Sequence, residues 1–181
     1  MNYFEPPALD ALSCLVSGAP VEGEGAGFRL AMRELASGVA LVTAGRGEQR
    51  TGCTATSLCS LSLDPPSLIV CIARTSTTLA ALRNSRAFGV NILAAAHQPL
   101  ADRFAGRTGV HGATRFLGAE WTTLVTGAPL LRAALACIDC TVEEVLERHT
   151  HAILIGRVVG VHRAGGAPAL VHRRGRFEQL D

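Results

Sequence analysis

A chain of 181 residues, 48% hydrophobic and 18% charged, can bury a real core and is not a disordered polymer. Its 17 basic and 15 acidic residues leave a net charge of +2, too small to make nucleic acid or an anionic membrane the main partner. Every one of the 17 bases is arginine, a side chain suited to bidentate phosphate contacts, although the lack of lysine reads first as genome composition.

The six cysteines (Cys14, Cys53, Cys59, Cys71, Cys137 and Cys140) sit mostly in apolar runs. The opening MNYFEPPALD lacks the basic and apolar regions of a secretory signal, and no apolar run reaches the roughly 18 residues of a membrane helix. A cytoplasmic protein with free thiols is the expectation.

Residues 1–27 differ from the rest: Leu9–Val16 can form a short helix, and Gly18–Gly27 has the composition of a flexible linker. This segment is read as an extension, and 28–181 as the folded domain. From Phe28 to Ala36 the spacing of Phe28, Ala31, Met32 and Leu35 predicts a helix, ended by Ser37-Gly38. Val39–Thr43 reads as a strand and Gly45–Gln49 as a turn.

Thr51–Arg74 holds two strand-like runs joined at Asp64-Pro65-Pro66, with Thr51, Thr54, Thr56, Ser57, Ser60 and Ser62 clustered in the first. Small hydroxyl side chains allow a flat ligand close to the backbone; a plain polar hairpin would look the same. Thr75–Arg86 predicts a helix with Ser76, Thr77 and Thr78 as cap candidates, and such a helix start can hold an anion. Phe88–Leu93 is the next strand and Ala94–Phe104 is helical. Gly106–Gly118 is a glycine-rich loop carrying Arg107, Arg115 and Phe116. Leu135–Arg148 and His151–Arg163 are long strand runs with a turn at Arg148-His149-Thr150, a short strand lies near Ala169–His172, and Gly175-Arg176-Phe177 closes the chain. Many strands, few helices and no βαβ alternation predict an antiparallel barrel with inserted helices.

Several chemistries find no support. No G-x-G-x-x-G follows a strand, and there is neither a P-loop nor a G-x-S-x-G elbow. Cys137-Ile-Asp-Cys140 is a CxxC, which with His149 and His151 would number four zinc ligands. A three-residue offset along a strand points the two thiols to opposite faces, so the reading is structural thiols and no metal. A lone histidine opening an apolar strand, as His151 does, is more often structural than functional.

Gly52-Cys-Thr54-Ala55-Thr56-Ser57-Leu-Cys-Ser60-Leu61-Ser62-Leu-Asp64-Pro65-Pro66, Ser76-Thr77, Val90-Asn91-Ile92-Leu93 and His151-Ala-Ile-Leu-Ile-Gly156-Arg-Val158 together resemble the short-chain flavin reductases, over about Phe28–Phe177. These are the reductase partners of two-component flavin monooxygenases. The resemblance implies a homodimer of six-stranded Greek-key FMN-binding split barrels, with FAD or FMN in a groove at the dimer interface and NADH as donor; NADPH stays open, since no 2′-phosphate pocket is identified although the arginine-rich loops leave room for one. It implies that Thr54, Ala55, Thr56 and Ser57, with Ser60 beside them, line the flavin ring, and that Cys71 and Ile72 flank it. Ser76 and Thr77 would take the phosphate, with Asn91 also among the flavin-binding residues. Phe104 and Arg107 would lie near the groove mouth, and His151 would hold the nicotinamide. Hydride transfer from NADH to flavin, with reduced flavin passing to an oxygenase, is the implied activity; a non-catalytic electron carrier of the same fold is the alternative. One departure stands out: relatives carry Gly-Asp before the histidine, and this chain carries His149-Thr150.

Overall fold

The computed structural model describes residues 24–181. The expected helix at Leu9–Val16, Cys14 and the linker up to residue 23 lie outside the described residues. The chain divides after Leu35 into two units. In the first, helix α1 spans Glu24–Glu34. It begins four residues before Phe28, so the last part of the expected linker is helical. Gly25 and Gly27 are each about 1 kcal/mol poorer than alanine in a helix, but extending a helix from a formed nucleus gains one hydrogen bond per residue fixed.

The second unit, Ala36–Asp181, is mainly β with inserted helices. Ser37-Gly38, expected only to end a helix, forms β1 and pairs with a strand far along the chain. Then come β2 (Ala40–Ala44), β3 (Thr51–Ala55), β4 (Leu58–Leu63) and β5 (Pro66–Ala73). Helix α2 (Thr77–Ser85) leads to β6 (Ala87–Ile92), and α3 (Gln98–Phe104) is entered through a short 3-10 turn at Ala95–His97. The pair β7 (Trp121-Thr122) and β8 (Leu130-Leu131) precedes the long hairpin β9 (Ala136–Arg148) and β10 (His151–Arg163). β11 (Ala169–Arg173) and β12 (Arg176–Leu180) close the chain and form a small sheet with β1.

The main sheet has seven strands in the order β3-β2-β6-β9-β10-β5-β4, each pair antiparallel, where six were expected. The extra strand comes from the hydroxyl-rich run, which breaks at Thr56-Ser57 into β3 and β4. That break shapes the molecule. β3 and β4 are the two outermost strands of the order, and six inter-strand spacings would hold them roughly 29 Å apart in a flat sheet. Only three Cα steps, at most about 11 Å, join Ala55 to Leu58. The sheet therefore curls until the end of β3 lies near the start of β4.

Rolling sorts the side chains into two cores. Ala40, Val42 and Ala44 of β2 enter one, with Val70, Ile72, Phe88, Cys140 and Leu154, and α2 adds Leu79 and Leu82. Val39 and Leu41 point the other way, joining Leu93, Phe104, Phe116, Leu131 and Cys137. Cys137 and Cys140 thus lie in different cores, as a three-residue strand offset requires. Gly156 marks how tightly the first core is filled: a Cβ there would come within 2.3 Å of Cζ of the buried Phe88. Among the described residues no helix is long and apolar enough to cross a membrane.

Candidate functional site

The C-terminal end of β5 gathers most of the sequence-derived site. On one side the run Thr51–Ser57 lies along it. Thr51 Oγ1 is 3.3 Å from Thr77 Oγ1, the Cys53 thiol lies beside the Ser76 hydroxyl, and Ser57 Oγ donates to the Cys71 carbonyl at 2.9 Å. On the other side β10 pairs Ile153 with Cys71 and His151 with Ala73. His151 is thus two residues, about 7 Å, along β10 from the level of Cys71. Just beyond β5, the Ser76 amide donates to Ala73 O and α2 begins.

Each predicted residue has a definite place. Thr56 and Ser57 are exposed at the bend, and Ser60 is exposed three residues further on. Cys71 is half-buried, whereas Ala55 and Ile72 send their side chains into the first core. Thr54 Oγ1 donates to Ala101 O at 2.6 Å, which ties β3 to α3. Ser76 caps α2: its Oγ accepts from the Thr78 amide at 3.2 Å, so its own proton remains to be donated.

Asn91 and Arg107 take no part in this cluster, whereas the Phe104 ring lies over Gly52 in the Thr51–Ser57 run, where a Cβ would come within 2.7 Å of it. Asn91 is fully buried. Its amide donates to Leu41 O and Thr43 Oγ1, and its Oδ1 accepts from the Leu131 amide and the Cys137 thiol. That amide is a junction between strands. Phe104 packs edge-on against Phe116, with centroids 5.0 Å apart, and closes a cluster with Trp121. Arg107 pairs with Asp102 at 2.7 Å and lies over the Phe177 ring.

His151 is exposed, with Nδ1 2.9 Å from Thr150 Oγ1. The turn before it is held from β5: the Arg74 amide donates to Thr150 O, and its Nη1 to His149 O. Arg74 also pairs with Glu147 at 2.9 Å, and Arg83 reaches the same carboxylate. The Arg83 hydrogen bond and the Arg74 charge hold the Glu147 carboxyl below the usual carboxylate range.

Sequence reasoning missed an open groove of about 840 Å³ running beside α2, with Arg46, Arg50 and Arg115 on its walls. The charge-dense stretch Arg46-Gly-Glu-Gln-Arg50, read only as a turn, was its signal.

The cysteines are not a reactive pair. Burial pushes the Cys137 thiol up to about 11, and burial with the neighbouring Asp139 charge pushes Cys140 to about 12. Burial likewise raises Cys53, with the Thr78 and Ser76 hydroxyls and the Arg115 charge pulling back. Among the described residues no group of His, Cys, Asp and Glu converges as metal ligands.

The model of the flavin reductase like domain matches residues 32–181. An FMN reductase (NADH), RutF 2, of Methylorubrum extorquens strain PA1 is 41% identical over 166 residues, covering 92% of this chain and 95% of that protein. Among solved structures, BorF, the flavin reductase component of a bacterial two-component tryptophan halogenase, superposes with a TM-score of 0.79 at 34% identity, over 87% of this chain and 98% of BorF. SgcE6, an NADH:FAD oxidoreductase of Streptomyces globisporus C-1027 solved with NAD and FAD fragments, gives 0.78 at 28% identity, over 87% of this chain and 93% of its own. With the match spanning the whole rolled sheet and every element around the end of β5, the chain belongs to the flavin reductase like family.

Proposed function

We propose that this protein is an NADH-dependent flavin reductase that hands reduced flavin to a separate oxygenase and works as a homodimer of split barrels. The observation that carries the reading is the convergence at the end of β5: a strip of small side chains, a capped helix start and a histidine, drawn from three separate stretches of chain. Bound FAD or FMN would supply the hydride acceptor. The residues present fit it, since Thr56 and Ser57 are exposed without bulk and the Ser76 proton and Thr77 hydroxyl stand at the positive end of α2.

The chain's own part is position. The Ser57–Cys71 hydrogen bond fixes the wall on which the ring lies. Ser76, Thr77 and the first turn of α2 hold the phosphate. Thr150 engages His151 Nδ1, so Nε2 is the atom that meets the nicotinamide and steadies it over the ring. No side chain needs to move a proton. Support for the dimer comes from Leu61 and Leu63 on the outermost strand β4, which are 49% and 90% exposed. NADH oxidation by pure protein should require added flavin; no flavin-dependent turnover with either NADH or NADPH would refute the reading.

A further inference from the structure

The groove beside α2 starts at Thr51 and Thr77, where the flavin phosphate is placed above, and runs on to Asn84. From Thr77 to Asn84 is about 10 Å of helix. Three guanidiniums face this space. Arg115 is aimed by Nε donating to Val110 O at 2.9 Å and Nη1 to Gly52 O at 3.0 Å. Arg46 is held on Thr126 O. Arg50 lies 4.8 Å over the Phe116 ring, its Nε buried with no hydrogen-bond partner. Among the described residues none of the three pairs with a carboxylate, because the ion pairs elsewhere use other arginines. Glu48 is the one acidic side chain on the groove wall. Three fixed positive charges, each oriented by backbone or ring and none neutralised, form a site for more than one phosphate.

We infer that this groove takes the second phosphate and the adenosine of FAD, and so makes FAD the flavin this protein prefers. The inference rests on the flavin reductase reading. FMN ends at its single phosphate, at the Thr77 mouth, and leaves the rest of the groove to water. A diphosphate reaches the arginines, and a nucleoside fits the space along α2. His151, proposed above to meet the nicotinamide, is on β10, whereas the groove opens at Thr51 on β3 and Thr77 on α2.

Flavin fluorescence titration tests this without turnover. The wild-type protein should bind FAD at least about tenfold tighter than FMN. The double variant Arg46→Ala, Arg50→Ala should lose at least about tenfold in FAD affinity and under about threefold in FMN affinity. Asn84→Trp, an exposed change on α2 that fills the far end of the groove, should weaken FAD alone. Circular dichroism melting of each variant confirms the fold. Equal affinities for the two flavins in the wild type, or equal losses for both in the double variant, overturn the inference. So does a rise in KM for NADH with both flavin affinities unchanged. If the wild type binds neither flavin, the flavin reductase reading itself fails, a distinct result.

Discussion

The Thr150 hydroxyl lies 2.9 Å from His151 Nδ1, at a turn where His149 takes a left-handed φ of 49°. The imidazole partner is therefore a neutral hydroxyl. Thr150→Ala should lower kcat/KM for NADH about fivefold, the worth of roughly 1 kcal/mol of hydrogen bond, with flavin affinity unchanged; Thr150→Ser should restore it. His151→Ala should depress NADH turnover more than flavin binding, and equal effects would make the residue structural.

Ser76 caps α2 and is proposed to hold the flavin phosphate, and one substitution can separate the two roles. Ser76→Ala with Thr77→Ala removes one or two charge-assisted hydrogen bonds to phosphate, each on the order of 1.5–3 kcal/mol, but also removes the cap of α2. Ser76→Asp keeps a good cap and places negative charge where the phosphate belongs. Its melting temperature should match the wild type while flavin affinity falls at least tenfold. Retained affinity would place the phosphate elsewhere.

Cys137 and Cys140 should resist thiol reagents in the native protein, while the exposed Cys59 reacts readily. Their pH dependence has a definite sign. Unfolded thiols ionise near pH 9, whereas these ionise near 11 and 12 in the fold. Between those values the unfolded chain holds fewer protons than the native one, so stability falls as pH rises from about 9. Denaturant midpoints measured from pH 8 to 10.5 should decline, and Cys137→Ser with Cys140→Ala should flatten the decline.

Gly156→Ala should destabilise the protein by roughly 1–3 kcal/mol, because the added methyl falls on the fully buried Phe88 ring. Chemical denaturation reads this directly. Phe88→Leu in the same chain should recover part of the loss.

The glycine also shows what was legible beforehand. The His-to-Gly spacing on β10 stood out in the sequence, and its reason is a ring from β6 that only the fold brings near. The long hairpin was readable to within a residue: Leu135–Arg148 was expected against Ala136–Arg148. Two long runs rich in β-branched residues on either side of a short turn leave few other solutions. Helix α2 was readable from its cap. The break at Thr56-Ser57 was not, since neither glycine nor proline marks it, and one strand was counted where there are two. β1, β7 and β8 are two residues each, too short for any period; β1 exists because β11, far along the chain, supplies its partner, and β7 and β8 pair with each other. Asn91 carried a motif but not its meaning: a conspicuous polar residue in an apolar strand proved to be a buried junction. The arginine groove was hidden for the opposite reason, its three residues lying in two loops that only the fold brings together.

The break between β3 and β4 has a consequence for how the molecule comes into being. These neighbours in sequence sit at opposite ends of the strand order, so Thr56 and Ser57 form a seam that exists only after the five other strands have been laid between them. The wall proposed for the flavin ring is that seam. Any molecule that grips it therefore binds the folded chain in preference to the unfolded one and stabilises the fold by mass action.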